Sequence, residues 1–407
     1  MWRSLHNSMP RLRGMVEPHL LGITQSTSAL AFNMFGILAG TILAESYGVF
    51  EKYKWALLVF PGILSNRGAI GGLFSGRLST GLHLGTISPS IRDNTDEAYQ
   101  LFSAVITLTA LSALLISSGS GLFAYLTYKI AFWKIVELFL TVFSTLAISI
   151  LVISPTTFLV SIYAFHRGLD PDMVVYPVTS TTADVSISLI YVIILRLISL
   201  HSLFYDTMIV LVNLFFIGFA VLLHNRSKEN REYHKTISEF VTTLLVVTVI
   251  VTLTGHVLGR ISDSIGNTAE IYAIYPAMID TVGDVGSIIG STATTKLSLG
   301  IFPAEFKSLL SHLTEVSYAW SSSLLLFTVY GIISGATYGF SNFSSLLAVV
   351  WWTNLLVIPV IVLVSFMVGI ITYRRGLDPD NFVIPFETSL ADSLTTIALY
   401  LMVLVWY

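Results

Sequence analysis

Four carboxylates, Asp378, Asp380, Glu387 and Asp392, fall within one stretch of an apolar chain, RRGLDPDNFVIPFETSLADS (Arg374 to Ser393). A near-copy, HRGLDPDMVVYPVTSTTADVS (His166 to Ser186), carries Asp170, Asp172 and Asp184 in the same order. At an offset of 208, Asp170 matches Asp378, Asp172 matches Asp380, Pro177 matches Pro385 and Asp184 matches Asp392. Asp-Pro-Asp suits a helix start, because Asp caps the first turn and Pro fits inside it. Asp170 and Asp378 are read either as such caps or as part of an acidic vestibule. Capping does not require Asp172 and Asp380, which read as an acidic vestibule. Further along, Ser180, Asp184 and Ser188 are four residues apart and share one helical face, as do Thr388, Asp392 and Thr396. A polar stripe centred on an aspartate therefore occurs twice. An acid inside a membrane costs about 2.5–3.5 kcal/mol on insertion scales and requires a cation, a partner or water. Arg67 and Arg77 are candidate partners, but Val282 and Thr292 hold the matching positions in the second half. Duplication of the acids without the arginines favours a shared cation. Asp184, Asp392, Ser180, Thr388, Asp172 and Asp380 are thus the candidate ligands. All are hard oxygen donors, which suit magnesium and its retained water better than soft or imidazole-preferring metals.

The elements that must position these residues follow from composition. Of 407 residues, 54% are hydrophobic and 11% charged, with a mean hydropathy of +0.79. Soluble domains carry about 25% charged residues, so the chain reads as an all-α polytopic membrane protein embedded in a lipid bilayer. A net charge of −3 gives no basic surface for nucleic acid. The absence of cysteine excludes disulfides, iron–sulfur clusters and thiolate zinc sites. No short apolar segment with a cleavage site follows Arg3, Arg11 and Arg13, so no cleaved signal peptide is expected. His83, His256 and His312 have no paired ligand spacing and read as ordinary polar or interfacial residues.

Apolar runs predict eleven helices, at about 22–47, 56–85, 99–127, 135–164, 174–199, 203–224, 238–261, 271–300, 312–336, 344–372 and 382–406. The second and eighth contain Pro61 or Pro276, many glycines and internal charges (Arg67 and Arg77; Asp280 and Asp284). Each is expected to be a broken helix lining a protein-enclosed cavity. With the N-terminus inside, thirteen Lys and Arg fall inside and six outside, which favours a cytosolic N-terminus and an external C-terminus in the cell membrane.

The second spans also repeat, at an offset of 215. PGILSNRGAIGGLFSGRLSTGLHLG (Pro61–Gly85) aligns without gaps to PAMIDTVGDVGSIIGSTATTKLSLG (Pro276–Gly300), and Gly68 matches Gly283. The expected organisation is a cytosolic tail at 1–21, a five-helix repeat at 22–200, a linking helix and cytosolic loop at 201–237, and a second five-helix repeat at 238–407. Five is odd, so the linking helix restores the orientation of the second repeat. The two repeats are then parallel, related by a pseudo-two-fold axis along the membrane normal, and pseudo-dimerise within one chain. Glu45 lies near the outer end of the first span, with Arg260 as its counterpart. It either guards the outer mouth or sits at the interface. Asp284 and Glu387, opposite Ala69 and Thr179, add acids to one half only.

The strings GLDPDMVVYPVTSTTAD and GLDPDNFVIPFETSLAD, with RLST (Arg77–Thr80) after the Pro/Gly-rich second span, resemble the MgtE-type magnesium channels and transporters. The likeness is greatest to their two-repeat relatives among the eukaryotic magnesium solute carriers, and it covers most of residues 22–407. This resemblance implies permeation of a divalent cation along an axial pore, with magnesium as the expected ion and manganese or another divalent cation as alternatives. It maps the family's ion-binding aspartate onto Asp184 and Asp392. The MgtE channels carry cytosolic magnesium-sensing domains, whereas about twenty residues precede the first span here. Their usual Gly-Asn in the second span reads Gly68-Ala69 and Gly283-Asp284. Exchange of the divalent ion against sodium or protons is the alternative within transport. A metal-dependent membrane enzyme is the distant one, since no His or Lys nucleophile accompanies the acids, and no enzymatic activity is expected.

Overall fold

A computed structural model describes residues 23–24, 26–28, 30–90, 93–167, 171–265, 268–298, 303–375 and 379–407. Among them are eleven long helices and no strands. The first half holds α1 (Ser26–Glu45), α2 (Lys54–Leu84), α3 (Asp96–Tyr128), α4 (Phe132–His166) and α5 (Pro171–Ser199). The linker is α6 (Leu203–Ser227). The second half holds α7 (Arg231–Ile265), α8 (Ala269–Ser298), α9 (Leu313–Tyr338), α10 (Phe343–Arg374) and α11 (Pro379–Trp406). Ten are long and apolar enough to cross a membrane. The other is α8, whose apolar surface is interrupted by Glu270, Asp280, Asp284 and Lys296. The protein is therefore an all-α multi-pass membrane protein.

The polar second spans sit at the centre. Helix α2 packs against α3, α4, α5, α7 and α11, while α8 packs against α1, α9, α10 and α11. Enclosure explains a difference from the sequence reading. Neither helix is broken: Pro61 and Pro276 lie inside continuous helices. A proline forfeits one intrahelical bond and clashes with a carbonyl one turn back. Surrounded by protein, the loosened backbone does not meet lipid, so the helix continues through it. The start of α7 also differs, at Arg231 rather than near 238. The Asn230 carbonyl Oδ1 accepts from the N–H groups of Glu232 (3.0 Å) and Tyr233 (3.1 Å), capping two polar turns that hydropathy alone leaves out.

The first helix of each half packs across to the central helix of the other: α1 lies against α8, and α7 against α2. Two glycines permit this. Gly40 sits against the backbone of Ala273, and Gly255 against the backbone of Leu58, so a Cβ at either position would run into a carbonyl. The glycines are 215 positions apart, and so are their partners. One turn away, Gly36 meets Ala277 and Gly62 meets Val251, at the same offset. Backbones this close are the mode of association that membrane helices use when small residues line the contact.

Hydroxyls tie the remaining helices to the centre. Tyr191 of α5 donates to the Ala56 carbonyl of α2 (2.7 Å), Tyr275 of α8 shares a hydrogen bond with Thr396 of α11 (2.9 Å), and Tyr330 of α9 shares one with Thr281 of α8 (2.8 Å). Helix α6 packs on α3, α4 and α5, where Asn213 donates to Ser144 Oγ (2.8 Å). Its outward residues, including Leu203, Leu214 and Phe215, are exposed, as a lipid-facing surface requires.

Gly40→Leu and Gly255→Leu should each lower the thermal unfolding midpoint of the purified protein. Overpacking costs about 1–3 kcal/mol, and contact with backbone carbonyls leaves little room to relax. Gly218→Leu on α6, where a Cβ meets nothing within 4 Å, should leave the midpoint unchanged or raise it.

Candidate cation site

The central polar residue is Arg67 of α2. One of its nitrogens, Nη2, stands 2.6 Å from Asp184 Oδ1 on α5 and 2.8 Å from Asp280 Oδ1 on α8. Nη1 donates to Ser180 Oγ, one turn before Asp184 on the shared face. From the sequence, the candidate partners of Asp184 are Arg67, Arg77 and a cation shared with Asp392. In this structure the arginine stands at Asp184, because α2 runs beside α5 and turns its Arg67 face inward. Arg77, ten residues on, is half-buried.

Asp392 of α11 has a different neighbour. Ser65 of α2 donates to its Oδ2. Ser65 and Asp280 are 215 positions apart, and so are Arg67 and Val282. The two repeat-related aspartates therefore meet corresponding positions of the opposite central helix, occupied by serine in one case and by aspartate in the other. Gly68 lies on the same face of α2, where a Cβ would come within 3.3 Å of Thr388 Oγ1; its counterpart Gly283 faces Ala391 across a looser gap of 3.9 Å.

Two more acids lie close by on the α8 and α11 side. Asp284 accepts from Asn33 Nδ2 of α1 (2.8 Å), and Glu387 accepts from Ser365 Oγ of α10. Gly286 makes room for Glu387, since a Cβ there would strike the carboxylate. Asp184, Asp284, Glu387 and Asp392 are 0%, 8%, 1% and 7% exposed, which places them all inside the bundle. Arg67 is the only buried arginine or lysine among the described residues. Five acids thus meet one base, and the excess must be met by cations or protons. Among the described residues no three Asp, Glu or His side chains converge on one metal position.

Not every predicted residue reaches this cluster. Glu45 is exposed at the end of α1. Asp170 and Asp378 lie outside the described residues, as do the side chains of Asp172 and Asp380. Asp280, named in the sequence only as an internal charge of a second span, and Asn33 are not among the residues expected at the site. The charge of Asp280 inside a span signalled it, and one polar residue in the first span was the only signal for Asn33. His312 also differs from its reading as an ordinary polar or interfacial residue. It is fully buried, with Nε2 3.1 Å from Thr292 Oγ1 and Nδ1 3.3 Å from Lys296 Nζ, because the short helix Phe306–His312 tucks it under α8.

Long apolar helices enclosing an acidic cluster with hydroxyl neighbours define a membrane protein that handles cations. The family model described as MgtE, divalent cation transporter, matches the chain twice, at residues 60–194 and 275–402. The chain belongs to this family, and it is a divalent cation transporter. It is similar to solute carrier family 41 member 3 of Mus musculus, at 22% identity over 413 aligned residues, covering 94% of this chain and 80% of the mouse protein. No solved structure matches it.

Asn33→Ala should lower the unfolding midpoint by removing the donor to Asp284, and Ser365→Ala should do so through Glu387. A stranded buried acceptor costs about 1–3 kcal/mol. Adding Asp284→Asn to the first variant, or Glu387→Gln to the second, should recover part of the loss.

Proposed function

We propose that the transported ion is magnesium, and that it passes between two parallel, pseudo-symmetric halves with Asp184 and Asp392 as the facing carboxylates. The observation that carries this reading is the placement of the two aspartates. Each belongs to the fifth helix of one half, and each is enclosed beside the central helices. The double family match, at regions that start 215 positions apart and end 208 apart, supports the two-half organisation. So do the reciprocal contacts of Gly40 with Ala273 and Gly255 with Leu58. Two carboxylates with nearby hydroxyls (Ser180, Thr388, Ser65) suit a small hard ion that gives up water reluctantly, and they hold it through that water. Attraction through water is weak enough for the ion to leave again, as conduction requires. Manganese, with similar ligand preferences, is the next candidate ion.

Asp284 and Glu387 line the second half of the same path and Gly68 and Gly283 set its width, while Asp170, Asp172, Asp378 and Asp380 form the cytosolic vestibule. The excess of lysine and arginine on one side supports a cytosolic N-terminus and an external C-terminus. Because both halves lie in one chain, a monomer suffices for the pathway. The acids act on an ion in transit, not in catalysis.

Magnesium influx into proteoliposomes loaded with a magnesium-sensitive dye should be measurable for the wild type. It should fall at least about tenfold in Asp184→Asn and in Asp392→Asn, as expected when an intramembrane carboxylate at the site is lost. Both variants should elute from size exclusion as the wild type does. Influx unchanged in both would remove the paired site. Influx that needs an opposing sodium or proton gradient would identify exchange.

A further inference from the structure

We propose that Arg67 is a tethered stand-in for the transported cation, filling the Asp184 side of the site between ions and leaving it when a divalent ion arrives. The inference rests on the reading of Asp184 as an ion-facing carboxylate and adds what controls occupancy there. A single guanidinium nitrogen touches carboxylates from both halves, Asp184 at 2.6 Å and Asp280 at 2.8 Å, while the other end of the group engages Ser180. That is the position at which a cation would neutralise the pair. An arginine and a divalent ion repel each other and cannot share it. The other half has no such occupant. Val282 takes the place of Arg67 there, and Ser65 takes the place of Asp280 beside Asp392.

A displaced guanidinium needs somewhere to go, and the structure provides it. A cavity of about 30 Å³ lies along α2 beside Arg67, lined by Asn66, Thr109, Ser149 and Ser154 together with apolar side chains of α2, α3, α4 and α5. It has room for about two water molecules. Asn66 Oδ1, Ser149 Oγ and Ser154 Oγ are buried and have no hydrogen-bond partner among the described residues. All three can accept from a guanidinium. Gly71, one turn beyond Arg67, keeps the cavity open. Arg67 therefore has two berths, one acidic and one of neutral acceptors. The apparent affinity for the ion is reduced by the fraction of time the acidic berth is filled. The same competition helps the ion to leave.

The test is a magnesium titration of the purified full chain in detergent, followed by its thermal unfolding midpoint. Arg67→Val, which copies the second half, should be less stable without magnesium and should reach half-saturation at a concentration at least about tenfold lower than the wild type. Arg67→Lys keeps the charge and should remain within about threefold of the wild type. The double variant Arg67→Val/Asp280→Ser removes one charge of each sign and copies the Ser65 and Val282 pair. It should regain stability without magnesium yet keep the lowered half-saturation, so it serves if Arg67→Val alone does not fold. Half-saturation unchanged or raised in both valine variants would overturn the proposal, as would a lysine variant that tracks Arg67→Val. Asp184→Asn separates the two readings. If it leaves the magnesium response intact, the site itself is misplaced and the tether falls with it. If it removes the response while the valine variants match the wild type, only the tether falls. A chain that responds to magnesium in no form overturns both.

Discussion

A carboxylate enclosed by protein at membrane depth is tolerated only if charge or hydrogen bonds meet it. The central helices α2 and α8 are arranged around that constraint. Arg67 answers two acids, Ser65 answers Asp392, Asn33 answers Asp284 and Ser365 answers Glu387. Four helices besides α2 and α8 thereby send a polar side chain to the centre: α1 and α10 supply donors, while α5 and α11 supply acids. Small residues let those helices approach closely enough for the contacts to form. Gly68 admits Thr388, and Gly286 admits Glu387.

The two halves share a backbone plan and differ in charge. Close contacts recur at equivalent positions, yet Arg67 faces Val282 in the alignment, Asp280 faces Ser65, and Glu387 faces Thr179. In the first half the aspartate of the fifth helix is met by a guanidinium, and in the second by a hydroxyl. In a duplicated scaffold the two faces of the acidic cluster are therefore chemically unlike.

Much of this was legible in the sequence. Apolar runs located the helices, because lipid forces long uninterrupted segments. The duplicated aspartates stood out because intramembrane acids are costly. What was not legible depended on neighbours distant in sequence. Whether α2 breaks at Pro61 is decided by the five helices enclosing it, not by the proline. Whether Arg67 reaches Asp184 depends on the rotation of α2 against α5, which no spacing along either helix fixes. Asp280 was visible as a charge, but its closeness to an acid 96 positions earlier was not. His312 read as an ordinary polar or interfacial residue, because the segment before α9 gives no hint that it packs against α8.

The crossing of α1 onto α8 has a consequence for synthesis. The small-residue face of α1, with Gly36, Ala39 and Gly40, is covered by a helix that begins at Ala269, more than two hundred residues later. A ribosome adds about 5–20 residues per second, so the first span waits at least about ten seconds before its docking surface exists. The second half meets no such delay, since α2 is already present when α7 emerges. The contact of α1 with α8 therefore forms after that of α7 with α2, and a chain cut short after α6 would leave its first helix without the surface that locks it in place.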